Sequence, residues 1–397
     1  MAKSSFQGLS LIRKDNQKKV ISILKNCGNS SCTQLSAALK LSNVALYNIM
    51  EDLRKKNIVK AMSDKSTIVG RKPSLYALNE LFGLFAVVDY SSAKIKIDIF
   101  DINGNRMLSK ETDERYLLSI DDVNESIDIL KSMLKNKTLQ GLPLKAICVS
   151  TPGRIDKNTG YFRIAAKFKD CEHINLYKIF SENFDCAVDV KNDMYVALIG
   201  HKSLEPLASA RSALYLHIGE SAGATLYING EIYEGENGYA GEFGSVTDFS
   251  ERALITQISL GSMVMQYIRR TLDSGSREKM SNLGNIVDFS KENFIERYLD
   301  NDETALDIAD RSAKLLAIAI SNLIVMLDLS TVIINGDLRL LGDKYLNALN
   351  DYVHANIFSK TTECCFSPLG DKAILLGAAE TAVQTGIYAA LDQPTDE

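Results

Sequence analysis

The sequence predicts an α/β protein in which a winged helix-turn-helix head precedes two related α/β lobes. Three observations predict it. The first 80 residues read as amphipathic helices followed by a hairpin, basic charge is concentrated there, and a strand–turn–strand pattern occurs twice in the remainder. A chain of 397 residues is also too long for one compact core, so we expect two or three domains.

The head begins with three short helices. Residues 18–26 place apolar side chains on one side of a helix, and Ser30 or Ser31 can cap a second helix. After a short turn, Ser42 can cap a third helix. The positions expected to face inward on the second and third helices are Leu35, Ala38, Leu39, Leu46, Ile49, Met50 and Leu53. Residues 58–62 and 75–78 then read as the two strands of a wing.

The third helix is the expected reader of the DNA major groove. Asparagine can pair with adenine edges, and small apolar groups can contact thymine methyls. The candidate DNA contacts off its apolar stripe are Asn43, Ala45, Tyr47 and Asn48, and those at the wing tip are Lys65, Arg71 and Lys72. A small helical bundle that binds protein is the alternative interpretation.

Charge is distributed unevenly along the chain. Residues 1–80 contain 14 Lys and Arg against 5 Asp and Glu, a net charge of +9. The remaining residues carry a net charge of −14, which gives −5 overall. A basic head on an acidic body indicates that operator DNA is the partner of the head, although a solvated basic face is the alternative.

The body contains an imperfect internal repeat. Residues 84–89 are apolar up to a final Asp, and after a turn at 91–93 a second strand leads to Asn103-Gly104, a hairpin turn. The same order recurs at 213–218, 219–223 and 224–228, followed by Asn229-Gly230. The repetition predicts two α/β lobes whose first turns face one another across a cleft, although plain hairpins of a mixed sheet would give the same pattern.

Composition and cysteine spacing exclude several other classes. No apolar run reaches membrane-spanning length, and residues 1–10 lack the apolar core of a signal peptide, so we expect a cytoplasmic protein without membrane contact. The seven cysteines are scattered without a CxxC spacing. Neither a disulfide framework nor a structural zinc site is therefore expected. No cofactor is expected either.

Several segments, in order along nearly the whole chain, resemble the ROK family of repressors and sugar kinases. The matching segments are 70–73 at the junction of wing and body, 150–153 with 155–156 and 160, 188–193, 238–244, and 312–327 with 331–336. The resemblance implies a two-lobed, actin-like and ribonuclease H-like sugar-kinase fold. It also implies a head at 1–80, a first lobe at 81–205, and a second lobe at 206–397 whose last helix returns to the first lobe.

The resemblance further implies a sugar site. Asn192 would bind sugar hydroxyls, Asp193 would occupy the position of the general base, and Glu242 would accept hydrogen bonds from neighbouring hydroxyls. The backbone at Gly153 would line the same pocket. An Asx turn at Asn192-Asp193 and a surface carboxylate at Glu242 are the structural alternatives.

The chain departs from the family at both phosphate-binding turns and at a zinc cluster. The first turn of the kinases reads roughly D-x-G-G-T, and here it is Asp89-Tyr90-Ser91-Ser92-Ala93. The second is usually G-T-G-x-G, and here Glu220 follows Gly219. Cβ atoms and a negative charge in these turns oppose phosphate binding. The zinc-ligand His of the family is Ser245, and residues 250–258 contain no Cys. We therefore expect no phosphate transfer and no metal, with Asp193 as a vestige.

Three functions remain open from the sequence. The first is a DNA-binding repressor that senses a sugar or a sugar phosphate. The second is an active sugar kinase with a DNA-binding appendage, and the third is a repressor controlled by a protein partner. The resemblance and the pairing of operator half-sites imply a homodimer, with a tetramer as the alternative.

Overall fold

A computed structural model describes residues 2–62, 75–156, 159–164, 167–170, 173–204, 206–247, 252–273, 289–358 and 361–393. The chain divides into two compact units. Unit 1 comprises residues 1–153, 160–191 and 378–397, and unit 2 comprises residues 154–159 and 192–377.

The head is a three-helix winged fold, as the sequence predicts. Its elements are α1 (Ala2–Cys27), β1 (Ser30–Ser31), α2 (Cys32–Leu39), α3 (Asn43–Lys55), β2 (Val59–Met62) and β3 (Leu75–Leu78). Ser31 caps α2 in a capping box with Gln34, and the Ser42 hydroxyl accepts from the Ala45 N–H at 3.2 Å. Lys40 takes the left-handed conformation that ends α2, with φ of 54°.

Three features of the head differ from expectation. Helix α1 begins at Ala2, well before residue 18. Ala38 is exposed and Leu39 is half-buried, so that Leu35 is the buried side chain of α2. The sequence also missed the pairing of β1 with β3, where Ser30 lies opposite Tyr76, which makes the wing a three-stranded sheet in the order β1-β3-β2.

The body is built from two five-stranded sheets. In unit 1 the strands are β4 (Leu84–Asp89), β5 (Lys96–Phe100), β6 (Arg106–Glu111), β7 (Leu144–Thr151) and β10 (Ala187–Asn192), in the order β10-β7-β4-β5-β6. In unit 2 they are β11 (Ser212–Ile218), β12 (Ala222–Ile228), β13 (Glu231–Tyr233), β14 (Thr331–Gly336) and β15 (Glu363–Phe366), in the order β13-β12-β11-β14-β15.

The two sheets share one topology. In each, the first strand pairs antiparallel with a following hairpin strand on one side and parallel with a later strand on the other. The turns at 90–95 and 219–221 therefore occupy equivalent places. The internal repeat predicted from the sequence is confirmed, and the α/β fold class with it.

The second turn is tighter than the sequence suggests. Strand β12 begins at Ala222, because Ile218 and Ala222 already face each other in the antiparallel register. The turn is thus residues 219–221, not 219–223. Asn229 and Gly230 both have positive φ, at 56° and 87°, as a two-residue hairpin turn requires.

Helices cover the sheets in each unit. The helices of unit 1 are α4 (Ile120–Leu134) and α5 (Leu176–Asn183), and the short strands β8 (Arg154–Ile155) and β9 (Phe162–Ile164) lie between β7 and α5 in the sequence. The helices of unit 2 are α6 (Asp193–His201), α7 (Ile255–Ile258), α8 (Leu260–Asp273), α9 (Lys291–Leu299), α10 (Glu303–Leu327) and α11 (Gly342–Asn356). Short 3-10 helices lie at Glu80–Phe82, Lys137–Leu139, Phe243–Ser245 and Asp337–Leu341. Helix α10 forms the centre of the unit 2 core, with Leu316 and Ile320 fully buried.

The last helix, α12 (Lys372–Asp392), begins in unit 2 and ends in unit 1. By length and composition alone it could cross a membrane, so the expectation that no apolar run is long enough was wrong for this segment. Half of its most apolar window is buried inside the protein. Packing of a core helix explains that composition without a membrane.

Candidate functional site

The exposed face of α3 is the candidate DNA interface. Leu46, Ile49, Met50 and Leu53 are buried, which turns the opposite side of the helix outward. Asn43, Tyr47 and Asn48 are exposed there, whereas Ala45 is half-buried. The predicted wing contacts Lys65, Arg71 and Lys72 lie outside the described residues.

Lysines of the head contact the last helix within unit 1. Lys25 pairs with Glu380 and Lys14 with Asp392. Lys56 donates to the carbonyl oxygen of Ala390 at 2.8 Å. Part of the basic charge counted in the sequence is thus neutralised by α12. The sequence held no local sign of these contacts, which join residues more than 300 positions apart.

Asn192 and Asp193 stand at the start of α6 in unit 2. The Asn192 side chain caps that helix, its Oδ1 accepting from the Met194 N–H at 2.9 Å, and an Asp193 carboxylate oxygen lies 2.9 Å from the same nitrogen. Both side chains are half-buried. The Asx-type cap proposed as the structural alternative is therefore present, and it holds both residues at the N-terminus of α6.

Glu242 is held by Arg154 in the same unit. The two side chains form an ion pair, with 43% of the Glu242 side chain and 15% of the Arg154 side chain exposed. Gly241, with φ of 89°, brings this segment against β12, and a Cβ there would lie 2.0 Å from the Ala224 carbonyl oxygen. Glu242 is thus a surface carboxylate, as the alternative has it, but one whose orientation is held by an arginine.

The structure therefore groups three of the four predicted sugar contacts in one unit. Asn192, Asp193 and Glu242 lie in unit 2, and Gly153, with φ of 99°, lies in unit 1. The sequence analysis did not predict a role for Arg154, although this residue directly follows Gly153, one of the predicted sugar contacts.

The turn at residues 89–93, which corresponds to the first phosphate-binding turn of the kinases, is closed by hydrogen bonds among its own residues. The Ser91 N–H donates to an Asp89 carboxylate oxygen at 3.0 Å, and the Ser91 hydroxyl donates to the other at 2.9 Å. Burial raises the pKa of Asp89, and these bonds oppose the rise. Lys167 donates to the carbonyl oxygens of Tyr90, at 2.8 Å, and of Ser92. An N–H that a phosphate would need is engaged within the turn.

The turn at residues 219–221, which corresponds to the second phosphate-binding turn, contacts a lysine of α9 through Glu220. Lys291 lies 2.7 Å from an Asp337 carboxylate oxygen and 3.7 Å from one of Glu220. The hydrogen bond with Asp337 is the main cause of a raised pKa at Lys291. Glu220 is 91% exposed at its side chain, so its part of this bridge is weak, and the Asp337 contact dominates.

Metal binding has little support in the part of the chain that is described. No group of three or more His, Cys, Asp or Glu side chains there could hold a metal ion. Ser245 ends a 3-10 helix, and residues 250 and 251 of the segment expected to lack zinc ligands lie outside the described residues.

Comparison with known proteins gives the same family along most of the chain. The model of the ROK family matches residues 85–254 and 264–385. A xylose repressor of Caldicellulosiruptor bescii is 20% identical over 387 residues, covering 93% of this chain and 95% of that protein.

Two solved structures extend the comparison to the fold. A ROK family transcriptional regulator, described as a homologue of the E. coli MLC protein, superposes with a TM-score of 0.81 at 16% identity, covering 96% of this chain and all of its own. A ROK family glucokinase from Streptomyces griseus, solved with glucose and AMPPNP, gives 0.61 at 18% identity, covering 76% of this chain and all of that chain. The regulator therefore matches a larger share of this chain than the kinase does.

Proposed function

Because this chain belongs to the ROK family, we propose that it is a sugar-responsive, DNA-binding transcriptional repressor whose kinase-like lobes do not transfer phosphate. The single observation that carries the proposal is the capped helix α3, which turns Asn43, Tyr47 and Asn48 outward from a three-helix head. The relative named a xylose repressor spans the head as well as the body.

The proposed DNA interface combines base contacts and phosphate contacts. Asn43, Ala45, Tyr47 and Asn48 would face base edges, and Lys65, Arg71 and Lys72 of the wing would contact phosphates or the minor groove. A homodimer would present two such heads to paired half-sites. The protein would act in the cytoplasm, where the operator is.

The proposed domains separate DNA binding from binding of the effector. Residues 1–80 would form the DNA-binding head, 81–205 the first lobe, and 206–397 the second lobe with its last helix returning to the first. Contacts of α12 with the first lobe inside unit 1 support that return: the Thr385 hydroxyl donates to an Asp189 carboxylate oxygen at 3.4 Å, and a Cβ at Gly386 would lie 2.7 Å from the Phe85 ring.

The proposed effector site uses Gly153, Asn192, Asp193 and Glu242. The carboxylates of Asp193 and Glu242 offer hydrogen-bond acceptors, and the N–H groups at the start of α6 offer donors, so that the site can bind sugar hydroxyls in both directions. Arg154 supports the assignment of Glu242, because a carboxylate held by a guanidinium keeps one orientation.

Loss of phosphate transfer is supported by both turns. In the first, Asp89 engages an N–H and a hydroxyl of Ser91. In the second, Glu220 adds negative charge where phosphates bind in the kinases. A nucleotide would have to displace these contacts without gaining the close backbone approach that glycine permits.

The proposal is tested in two steps with the full chain. Selection from a random duplex library at physiological salt should enrich one sequence motif, and a sugar panel should change its binding. Calorimetry with Mg-ATP should show no binding in the presence of the active sugar. Failure to enrich a motif would contradict the proposal of a repressor. Phosphorylation of the sugar that depends on Asp193 would instead support the alternative, an active sugar kinase.

A further inference from the structure

Two neighbouring strands of the unit 2 sheet each carry a buried polar atom that lacks a hydrogen-bond partner in the described part of the chain. His217 on β11 is the register partner of Asn335 on β14. Among the residues that the structure describes, neither His217 Nδ1 nor Asn335 Oδ1 has a hydrogen-bond partner. Asn335 is only 2% exposed. Unpaired buried polar atoms are uncommon in folded proteins and call for a physical explanation.

The orientation of the Asn335 amide is fixed by its neighbours. Its nitrogen donates to the Tyr215 hydroxyl at 2.9 Å and to the Gly370 carbonyl oxygen at 3.2 Å. A carbonyl oxygen can only accept, so the amide nitrogen must face it and Oδ1 must face the other way. Asn335 Oδ1 is therefore a buried hydrogen-bond acceptor that could bind a donor from a ligand.

The pair lies in the same corner of unit 2 as the vestigial general base. Both strands end here, and the carboxyl ends of parallel strands are where α/β sheets bind ligands. His217 is also registered with Gly223, where a Cβ would lie 3.0 Å from Cγ of Met194, the residue that follows Asp193. Burial raises the pKa of Tyr215, and the nearby charge of Asp193 adds to that rise, which places Asp193 near this face.

The charges around the pair disfavour an anionic ligand. Burial lowers the pKa of His217 even though Asp337 and Asp371 oppose the effect, so the imidazole is neutral at pH 7. The carboxylates facing this corner are Asp193, Asp337 and Asp371. The opposing cations are Arg339, which lies over Gly370, and Lys291, which is paired with Asp337.

We infer that His217 and Asn335 bind hydroxyl groups of the effector sugar, and that the carboxylates around them favour the free sugar over its phosphate. This inference rests on the sugar site proposed above. A hydroxyl can donate to Asn335 Oδ1 and also donate to or accept from a neutral imidazole, whereas a phosphate dianion offers acceptors only.

The test uses His217→Leu in the full chain, with calorimetry and thermal unfolding. The probes are D-xylose, D-glucose, D-mannose, N-acetyl-D-glucosamine and glucose 6-phosphate. The unaltered protein should bind at least one free sugar and should bind glucose 6-phosphate at least tenfold more weakly than that sugar. His217→Leu should lower the affinity for the free sugar at least tenfold, and its ligand-free unfolding temperature should stay equal or rise, because an unpaired buried polar group is removed.

Two further variants make the result specific. His217→Gln, which keeps a hydrogen-bonding group, should retain part of the affinity. His173→Leu replaces an exposed histidine of unit 1 and should bind the sugar as the unaltered protein does.

Three outcomes would overturn the inference. Unchanged sugar affinity in His217→Leu would show that the pair serves structure or binds water only, and would leave the repressor proposal intact. Tighter binding of glucose 6-phosphate would reverse the assignment of ligand class. If no sugar binds while an operator motif is still enriched, both the inference and the effector part of the proposed function fail, and DNA binding stands.

Discussion

Arg154 and Glu242 form an ion pair within unit 2, and Arg154 Nη2 also donates to the carbonyl oxygen of Ala240 at 2.9 Å. One guanidinium therefore fixes both the carboxylate and the backbone of the segment proposed to contact the sugar. Because the Arg154 side chain is 15% exposed and that of Glu242 is 43% exposed, this contact orients more than it stabilises.

The first prediction concerns this pair. Arg154→Met should lower the affinity for the effector sugar about tenfold, because a hydrogen bond to a charged group contributes roughly 1.5–3 kcal/mol. The midpoint of urea unfolding should change little. Arg115→Met, which removes another partly exposed arginine paired with Asp122, is the matched control and should leave sugar affinity as it was. An equal loss of sugar affinity in both variants would show that the effect comes from removing a positive charge and not from the pair of Arg154 with Glu242.

The second prediction concerns the recognition helix. Asn48→Ala should weaken binding to the selected operator by roughly 1–3 kcal/mol and relax the preference at one base pair, since an asparagine–adenine contact is worth that much. Asn48 is exposed, so thermal stability should not change. The measurement is fluorescence anisotropy with operators altered one base pair at a time. Asn347→Ala replaces an exposed asparagine on α11 and should bind every operator normally. If Asn48→Ala weakened all operators uniformly, Asn48 would not read a base.

The head could be predicted from sequence because its signals are local. Ser31 and Ser42 lie one step before the helices they cap. A local signal also predicts one hairpin of the body, where Asn229-Gly230 lies between the two strands that it joins. The candidate site was found in part. Asn192, Asp193 and Glu242 came from a family pattern, whereas Arg154, His217 and Lys291 depend on contacts that only the folded chain creates. Lys291 is a surface-type residue in sequence, and nothing near it points to Asp337.

The third prediction concerns the packing of α12 on α6. A Cβ at Gly377 would lie 1.6 Å from the Val196 carbonyl oxygen, so Gly377→Ala requires the backbone to move. We expect a loss of about 1–3 kcal/mol in the free energy of unfolding, the usual cost of overpacking. Gly261→Ala is the control, because a Cβ there meets nothing within 4 Å and α8 should gain up to about 1 kcal/mol. A neutral Gly377→Ala in urea unfolding would contradict the close approach.

The fourth prediction concerns acid stability. Burial lowers the pKa of His201, whose Nδ1 and Nε2 lie 2.8 Å from the Ala197 carbonyl oxygen and the Ser367 hydroxyl. The folded form keeps this ring neutral, whereas the unfolded chain takes up a proton below a pH of about 6.5. Its contribution to stability is thus present above that pH and is lost as the pH falls below it.

Urea unfolding between pH 8 and pH 5 measures this contribution. The free energy of unfolding should decline below about pH 6.5, and His201→Asn should show a shallower decline from a lower starting value. His217, whose pKa burial also lowers, contributes with the same sign, so the slope should not vanish in that variant. An unchanged slope in His201→Asn would show that His201 takes up its proton alike in the folded and unfolded chain.

The account depends most on the coupling of DNA binding to a free sugar. The direct measurement is anisotropy of a labelled duplex carrying the selected motif, titrated with the full chain at physiological salt, with and without each sugar of the panel. We predict that the chain binds this duplex far more tightly than a scrambled one, and that one free sugar shifts the affinity at least tenfold while Mg-ATP shifts it not at all. Equal binding to both duplexes, or a shift that requires Mg-ATP, would contradict the account.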